Sequence, residues 1–440
     1  MRALETLKHD RVRASVSATL GGIDTLAEFV KIGTVAVSLT VPAGSLAQSV
    51  YVQVHEADKR PLTAAIKPYV DSHEIAGAVV CIADRNRVID RETIGYADMV
   101  ARRSMKANNM FWIASMSKAI TASAVMMLVD ETKISLDDPV VKYLPEFKSQ
   151  MVNLASDQAD VSFQQGVPGS VKAAGAFAKL APLRQPITIR ELLSHTSGLP
   201  FTSTHEAAEL DLFPLRTAVD SYAAEPLQSQ PGGKYSYSNE GFNIAGRIVE
   251  VVSGFAFEDF LEQRLFSPLG MKDTTFWPNN EQVKRLAKSY ETGGVGVNLR
   301  EVPIDVLTYP LSDHEHRFPI PAGGLFSTAD DIVRFCQMIL NRGTFHGTRY
   351  LSEESVRLMT IKETGDIVAK SYGFGWNVDD GYLEHSGAYK TDMIVDKKRG
   401  LIVVFLVQCA NDWKLEDRKR LMGDLQQRVI AAFGDTLANQ

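Results

Sequence analysis

The chain has 440 residues, enough to bury a large core in one domain or two interleaved ones. Hydrophobic residues make up 45% and charged residues 23%, the balance of a globular protein. The formal net charge is −6 with no Lys/Arg-rich stripe, which argues against a nucleic-acid partner, and no apolar run reaches the roughly 18 residues of a membrane span.

Residues 1–60 read as an N-terminal extension. Lys31 precedes IGTVAVSLTVPAGSLA, a run with the look of a signal core and cleavage site. It begins late for a signal. Val35, Val37, Leu39 and Val41 alternate with small or polar residues, as do Val50, Val52 and Val54. That alternation favours a hairpin over an export signal, and a cytoplasmic location over an exported one. LTAAIKPYVDSHEI then reads as an amphipathic helix. AGAVVCIADRNRVIDRETIGYAD reads as two strands about a turn at Asp84, Arg85 and Asn86.

FWIASMSKAITASAVMM follows, helical from near Ser115 to Val129. ISLDDPVVKYLPEF suggests a turn and a short helix stopped at Pro145. Residues 149–186 are polar, small and irregular, as in a surface excursion. ITIRELLSHTSGLP reads as a helix ending at Gly198 and Pro200. NEGFNIAGRIVEVVSGFAFEDFLEQRLFSPLG reads as two helices split at Gly254. GGLFSTADDIVRFCQMIL starts a helix capped by Ser327 or Thr328. SYGFGWNV, YLEHSGAY, KTDMIVDKKRG and LIVVFLVQCA are short strands, and RKRLMGDLQQRVIAAFG closes the chain as a helix. Strands at both ends and helices between them imply an α/β fold: a sheet built from the two ends, with a mostly helical domain inserted.

Three units carry candidate chemistry. Ser115 and Lys118 form the only S-x-x-K of the chain. On a helix the two side chains share a face one turn apart, so the amine can reach the hydroxyl, and the helix N-terminus offers N–H groups to an oxyanion. A helix cap followed by a solvated lysine would look the same, but the run AITASA after Lys118 is apolar nearly all round. Tyr237, Ser238 and Asn239 form the only Y-x-N. A phenol near a lysine ammonium has a lowered pKa, which would let Tyr237 act as a general base, with Asn239 holding a substrate carbonyl or Lys118. The third unit is His385, Ser386 and Gly387. A strand glycine admits a substrate backbone, and the N–H of Ala388 is placed to be a second oxyanion donor.

The ordered set resembles the serine β-lactamase and penicillin-binding-protein superfamily, whose pattern is S-x-x-K, then Y-x-N, then K-T-G or H-x-G. ITIRELLSHTSGLP, PGGKYSYSNEGFNIAG, SPLGMKDTTF, GGLFSTADDIVRF and YGFGW strengthen the likeness to the class C branch, and especially to family VIII carboxylesterases. The resemblance implies a two-domain fold with an antiparallel sheet flanked by helices. The hydrolase domain would span 61–430, its α/β part about 61–110 and 320–435, its helical part about 111–319. Ser115 would be the acylated nucleophile and Lys118 with Tyr237 the proton-transfer pair. Asn239, His385, Gly387 and Ala388 would serve substrate and oxyanion.

A histidine in place of the lysine of K-T-G offers less to a substrate carboxylate. The expected substrate is therefore a small, short-chain carboxylic ester, with a β-lactam or D-amino-acid peptide as the alternative and a non-catalytic relic as a further one. No cofactor or metal is expected. Cys81, Cys336 and Cys409 have no metal-ligand spacing, and HEIAG and HEAAEL lack the second histidine of H-E-x-x-H. His314 and His316 in SDHEHRF read as a polar loop, His195 as a satisfied structural histidine, and Tyr372 and Trp376 as packing residues.

Overall fold

A computed structural model describes residues 61–154, 179–203, 209–291, 298–366, 371–410, 420–425 and 427–431. The hairpin expected over 35–54 and most of the excursion at 149–186 lie outside them. Contacts divide the chain into two units, Met1–Ala64 and Ala65–Gln440; the sheet and the candidate site belong to the second.

The sheet has seven strands: β1 (Gly77–Ala83), β2 (Val88–Asp98), β3 (Arg103–Ser104), β4 (Asn377–Asp379), β5 (Tyr382–Ser386), β6 (Asp392–Asp396) and β7 (Leu401–Leu406). Their spatial order is β4-β5-β6-β7-β1-β2-β3, and neighbours run antiparallel. The two ends of the chain meet where β7 pairs with β1, Val79 opposite Leu406 and Ala83 opposite Ile402. Both strands are buried along their whole length, which is why their sequences, GAVVCIA and LIVVFL, are continuous apolar runs rather than alternating ones. The turn between β1 and β2 is closed by Asp84 Oδ1, which accepts from Asn86 N (2.7 Å) and Arg87 N (2.8 Å).

Five helices matter here: α1 (Pro61–Asp71), α2 (Ser117–Asp130), α3 (Ile189–Leu193), α4 (Asn239–Ser253) and α5 (Ala329–Leu340). α2 is buried at every residue from Ser117 to Leu128. A helix with no polar face has to lie inside, and its alanines and serines let α4 pack closely against it. α5 lies on β1 and β7, capped by Thr328, whose hydroxyl accepts from Asp331 N. Gly254, at φ 75°, ends α4 where the split was expected.

The chain departs from its expected boundaries at three places. The regular helix begins at Ser117, two residues late, because Ala114–Met116 form a 3₁₀ turn. The helix in ITIRELLSHTSGLP is capped by a Thr188–Glu191 box and stops at Leu193, since His195 takes a left-handed backbone at φ 59°. Pro145 begins a 3₁₀ turn (Pro145–Ser149) instead of ending one, because its missing N–H has no role at a first position.

Candidate active site

The approach to Ser115 is a bent strand end. Ile113 N donates to Leu325 O (3.0 Å), and Ala114 then turns to φ 45°. An alanine in the left-handed region costs about 1–2 kcal/mol, so the surroundings must hold it there. Ser117 supplies part of that hold: its hydroxyl donates to Ala114 O (2.6 Å) and accepts from Leu325 N (3.3 Å). The kink leaves Ser115 half-exposed while Ala114 and Met116 on either side are buried.

One turn on, Lys118 is fully buried. Its Nζ lies 2.7 Å from Asn239 Oδ1, 2.8 Å from Ala322 O and 3.2 Å from Ser115 Oγ. It also sits 4.7 Å from the centre of the Tyr237 ring. Burial holds the Lys118 ammonium well below the ordinary lysine range. The ring face favours the cation, but contacts of that kind contribute about 0.5–2 kcal/mol, less than the desolvation of a buried charge whose hydrogen-bond partners include no carboxylate. Burial therefore favours the neutral amine. It has two N–H groups and one lone pair. Ala322 O can only accept, and so can Asn239 Oδ1, so these two take both hydrogens. The lone pair is left facing the Ser115 hydroxyl.

The segment Pro321–Leu325 forms the far side of this arrangement; Gly323–Leu325 open the GGLFSTADDIVRF stretch, but nothing in the sequence marked Ala322 or its carbonyl. Thr121 Oγ1 donates to Pro321 O (2.7 Å), Trp112 Nε1 donates to Gly323 O (2.8 Å), and Ala322 N donates to Asn243 Oδ1 (3.0 Å). Gly323 packs beside the turn at Ala114: a Cβ placed on it would stand in ordinary contact with the backbone, 3.6 Å from Ala114 C and 3.8 Å from Ser115 N.

Tyr237 and Asn239 arrive at the start of α4. Ser238 caps that helix, accepting from Gly241 N (3.1 Å) and donating to Pro200 O (2.6 Å). Burial pushes the Tyr237 phenol up, and its contact with Ser115 pulls the other way. The lowered phenol expected from the sequence is thus reversed: burial raises it, and the same burial disfavours the charge on Lys118 that would depress it.

The third unit closes the site from the sheet. At the end of β5, Gly387 N donates to Thr391 O (2.8 Å) and Lys390 N to Gly387 O (3.0 Å), forming a turn with Ala388 exposed near its tip. A Cβ on Gly387 would fall 2.5 Å from Ile113 O, so only glycine lets β5 end this close to the strand that leads to Ser115. His385 is buried. Its Nδ1 lies 3.1 Å from Ser386 O, which fixes the proton on Nδ1, and its Nε2 lies 3.1 Å from the Tyr372 hydroxyl. Nε2 is hydrogen-bonded to the Tyr372 hydroxyl. Tyr372 is thus a hydrogen-bond partner within the site as well as a core residue, whereas Trp376 is buried in the core.

Among the described residues, no group of three or more His, Cys, Asp or Glu is placed to hold a metal ion. His316 pairs with Asp313 (2.9 Å), and His314 rests edge-on against Trp277.

The serine, the buried lysine and the neighbouring tyrosine define a serine hydrolase of the β-lactamase and penicillin-binding-protein kind, and comparison with known proteins agrees. A family described as Beta-lactamase matches residues 62–427. Penicillin-binding protein 4 of Amycolatopsis lactamdurans is 31% identical over 331 residues, covering 72% of this chain and 75% of its own. Esterase EstB of Burkholderia gladioli is 26% identical over 389 residues, covering 79% and 90%. A solved structure titled "EstCE1, a hydrolase with promiscuous acyltransferase activity" shares the fold, with a TM-score of 0.68 at 22% identity over 84% of this chain and 97% of that one. The chain belongs to the Beta-lactamase family.

Proposed function

We propose that the protein is a carboxylesterase that forms an acyl-enzyme on Ser115 and hydrolyses small esters with short acyl chains, using residues 61–430 as its hydrolase domain. The observation that carries the reading is the placement of the buried Lys118 Nζ 3.2 Å from Ser115 Oγ, with Asn239 Oδ1 and Ala322 O as its other partners, which leaves the lone pair of a neutral amine for the serine hydroxyl. Ser115 Oγ attacks the ester carbonyl carbon and its proton passes to Lys118 Nζ. The carbonyl oxygen becomes an oxyanion received by the N–H groups of Ser115 and Ala388. Tyr237 gives its proton to the leaving alcohol and regains one from the Lys118 ammonium. Water then repeats the sequence in reverse to release the acid. A histidine at 385 in place of a lysine, held between Tyr372 and its own strand, offers less to a carboxylate and fits a substrate without one. The similarity to Esterase EstB supports the same reading.

A second reading uses the same residues on D-amino-acid peptides or β-lactams. It is favoured by the higher identity to Penicillin-binding protein 4. The two separate when p-nitrophenyl butyrate and nitrocefin hydrolysis are measured side by side with wild type and Ser115→Ala. Ester turnover that disappears in the variant, with little nitrocefin turnover, is the expected result. Dominant nitrocefin turnover selects the second reading, and ester turnover that survives in Ser115→Ala removes Ser115 from its role.

A further inference from the structure

One residue holds both chain neighbours of Tyr237. His195 accepts from Ser236 N at its main-chain oxygen (2.8 Å) and from Ser238 N at its side-chain Nδ1 (3.1 Å). Between these two bonds its ring lies against the Tyr237 ring, centres 4.3 Å apart and planes inclined by 38°. The imidazole is fully buried and backed by Tyr372, Phe242 and Tyr235 at 4.7, 5.1 and 5.8 Å. Because a backbone N–H points at Nδ1, the lone pair is there and the ring is neutral.

The backbone at His195 sharpens this. Its φ of 59° is a conformation that glycine or asparagine takes readily and other residues rarely. A histidine that only filled core space would gain nothing from that strain. Here the left-handed turn ends α3 and brings the carbonyl and the ring of one residue to bear on residues 236 and 238 together. Strained backbone of this kind is held in place where it sets up a site. Asn239, next in the chain, donates its N–H to Phe201 O (3.0 Å), so the whole Y-S-N segment is held by residues 195–201.

We propose that His195 is a positioning residue for the Tyr237 phenol, fixing its height and tilt over Ser115 and Lys118; this rests on the reading that Tyr237 transfers protons there. Displacing a proton donor by about 1 Å costs up to about 100-fold in turnover.

Three variants test it. His195→Asn keeps the left-handed backbone and offers Oδ1 close to where Nδ1 lies. His195→Gly keeps the backbone and removes acceptor and ring. His195→Phe keeps a ring and removes the acceptor, and it carries the test should the glycine variant fail to fold, which melting curves report. The Gly and Phe variants are expected to lose about 10–100-fold in kcat for p-nitrophenyl butyrate with KM within about twofold, and the Asn variant to recover most of that loss. Crystal structures of the variants should show the phenol displaced in Gly and Phe and restored in Asn. Wild-type kcat in both Gly and Phe, or an unmoved phenol in them, overturns the proposal. Should Ser115→Ala keep its turnover, the esterase reading falls, and the position of the phenol in the crystal structures still decides the role of His195.

Discussion

Lys118 and His385 are two buried basic side chains of the candidate site, and they are held in different ways. Lys118 is surrounded by fixed acceptors on α4 and on Pro321–Leu325, and the one position left over is Ser115 Oγ. His385 is held by Tyr372 and by the carbonyl of Ser386. On the proposed reading one wall of the site moves the proton, and the sheet wall, with the backbone groups around Gly387 and Ala388, meets the substrate. Chemistry and substrate choice would then be written in separate parts of the chain.

The sharpest break is at Lys118. Lys118→Met removes the base and is expected to cut kcat by about 10³–10⁴-fold. Lys118→Arg should fare no better, since a guanidinium keeps its proton at any accessible pH. An arginine variant with near-normal turnover in steady-state assays would show that charge, and not a lone pair, is what Ser115 needs. Tyr237→Phe follows, with an expected loss of about 10²–10³-fold, larger for esters with poor leaving alcohols than for p-nitrophenyl esters. Equal losses across leaving groups would remove the phenol from the step that protonates the alcohol.

The pH dependence has a definite sign. Burial lowers the Lys118 pKa, and the proposed base is the neutral amine. Activity should rise as pH increases through that lowered value and stay high above it until the raised Tyr237 phenol ionises. A profile of kcat/KM against pH should show the acid limb in wild type and in Tyr237→Phe alike. A limb that moved with the Tyr237 substitution would assign it to the phenol.

On the other wall, His385→Lys places a lysine cation where the imidazole now lies. It should raise the ratio of nitrocefin to ester turnover by about tenfold, the worth of a modest new ion pair. An unchanged ratio would mean that this position does not face the substrate.

Much of the nucleophile wall could be read beforehand. A serine, a lysine one turn later and a Y-x-N are side-chain requirements of the reaction, and side chains are what a sequence spells out. The sheet was legible for the same reason: GAVVCIA and LIVVFL are buried on both faces, and their composition shows it. What stayed hidden was supplied by backbone or by distance. Ala322 serves Lys118 through a carbonyl that any residue would carry. Tyr372 reaches His385 only because the strands between them fold back. The direction of the Tyr237 shift was misjudged because proximity to a lysine can be read from motifs, whereas the burial that neutralises the lysine cannot. His195 ends its helix early through a backbone conformation with no marker in SHTSG.

The smallest effect lies outside both walls. Asp331, in the first turn of α5, accepts from Asp273 N (2.7 Å) and Thr274 Oγ1 (3.0 Å) and is buried with few other polar neighbours. Burial raises its carboxyl to about 6, against an ordinary value of 3.8. The folded state therefore binds the proton more tightly than the unfolded chain. The resulting stabilisation is full below about pH 3.8 and lost as pH rises through about 6, an amount of at most about 3 kcal/mol. Asp331→Asn keeps an acceptor for the Asp273 and Thr274 donors without the charge. Its melting temperature at pH 7 should lie at or above that of wild type, and the difference should shrink towards pH 4. Ester turnover should not change, because Asp331 lies in the first turn of a helix on the sheet and is bonded to Asp273 and Thr274, away from Lys118 and His385. A change in kcat would show that the packing of α5 on β1 and β7 reaches the nucleophile, and the separation of the two walls would then need a third element.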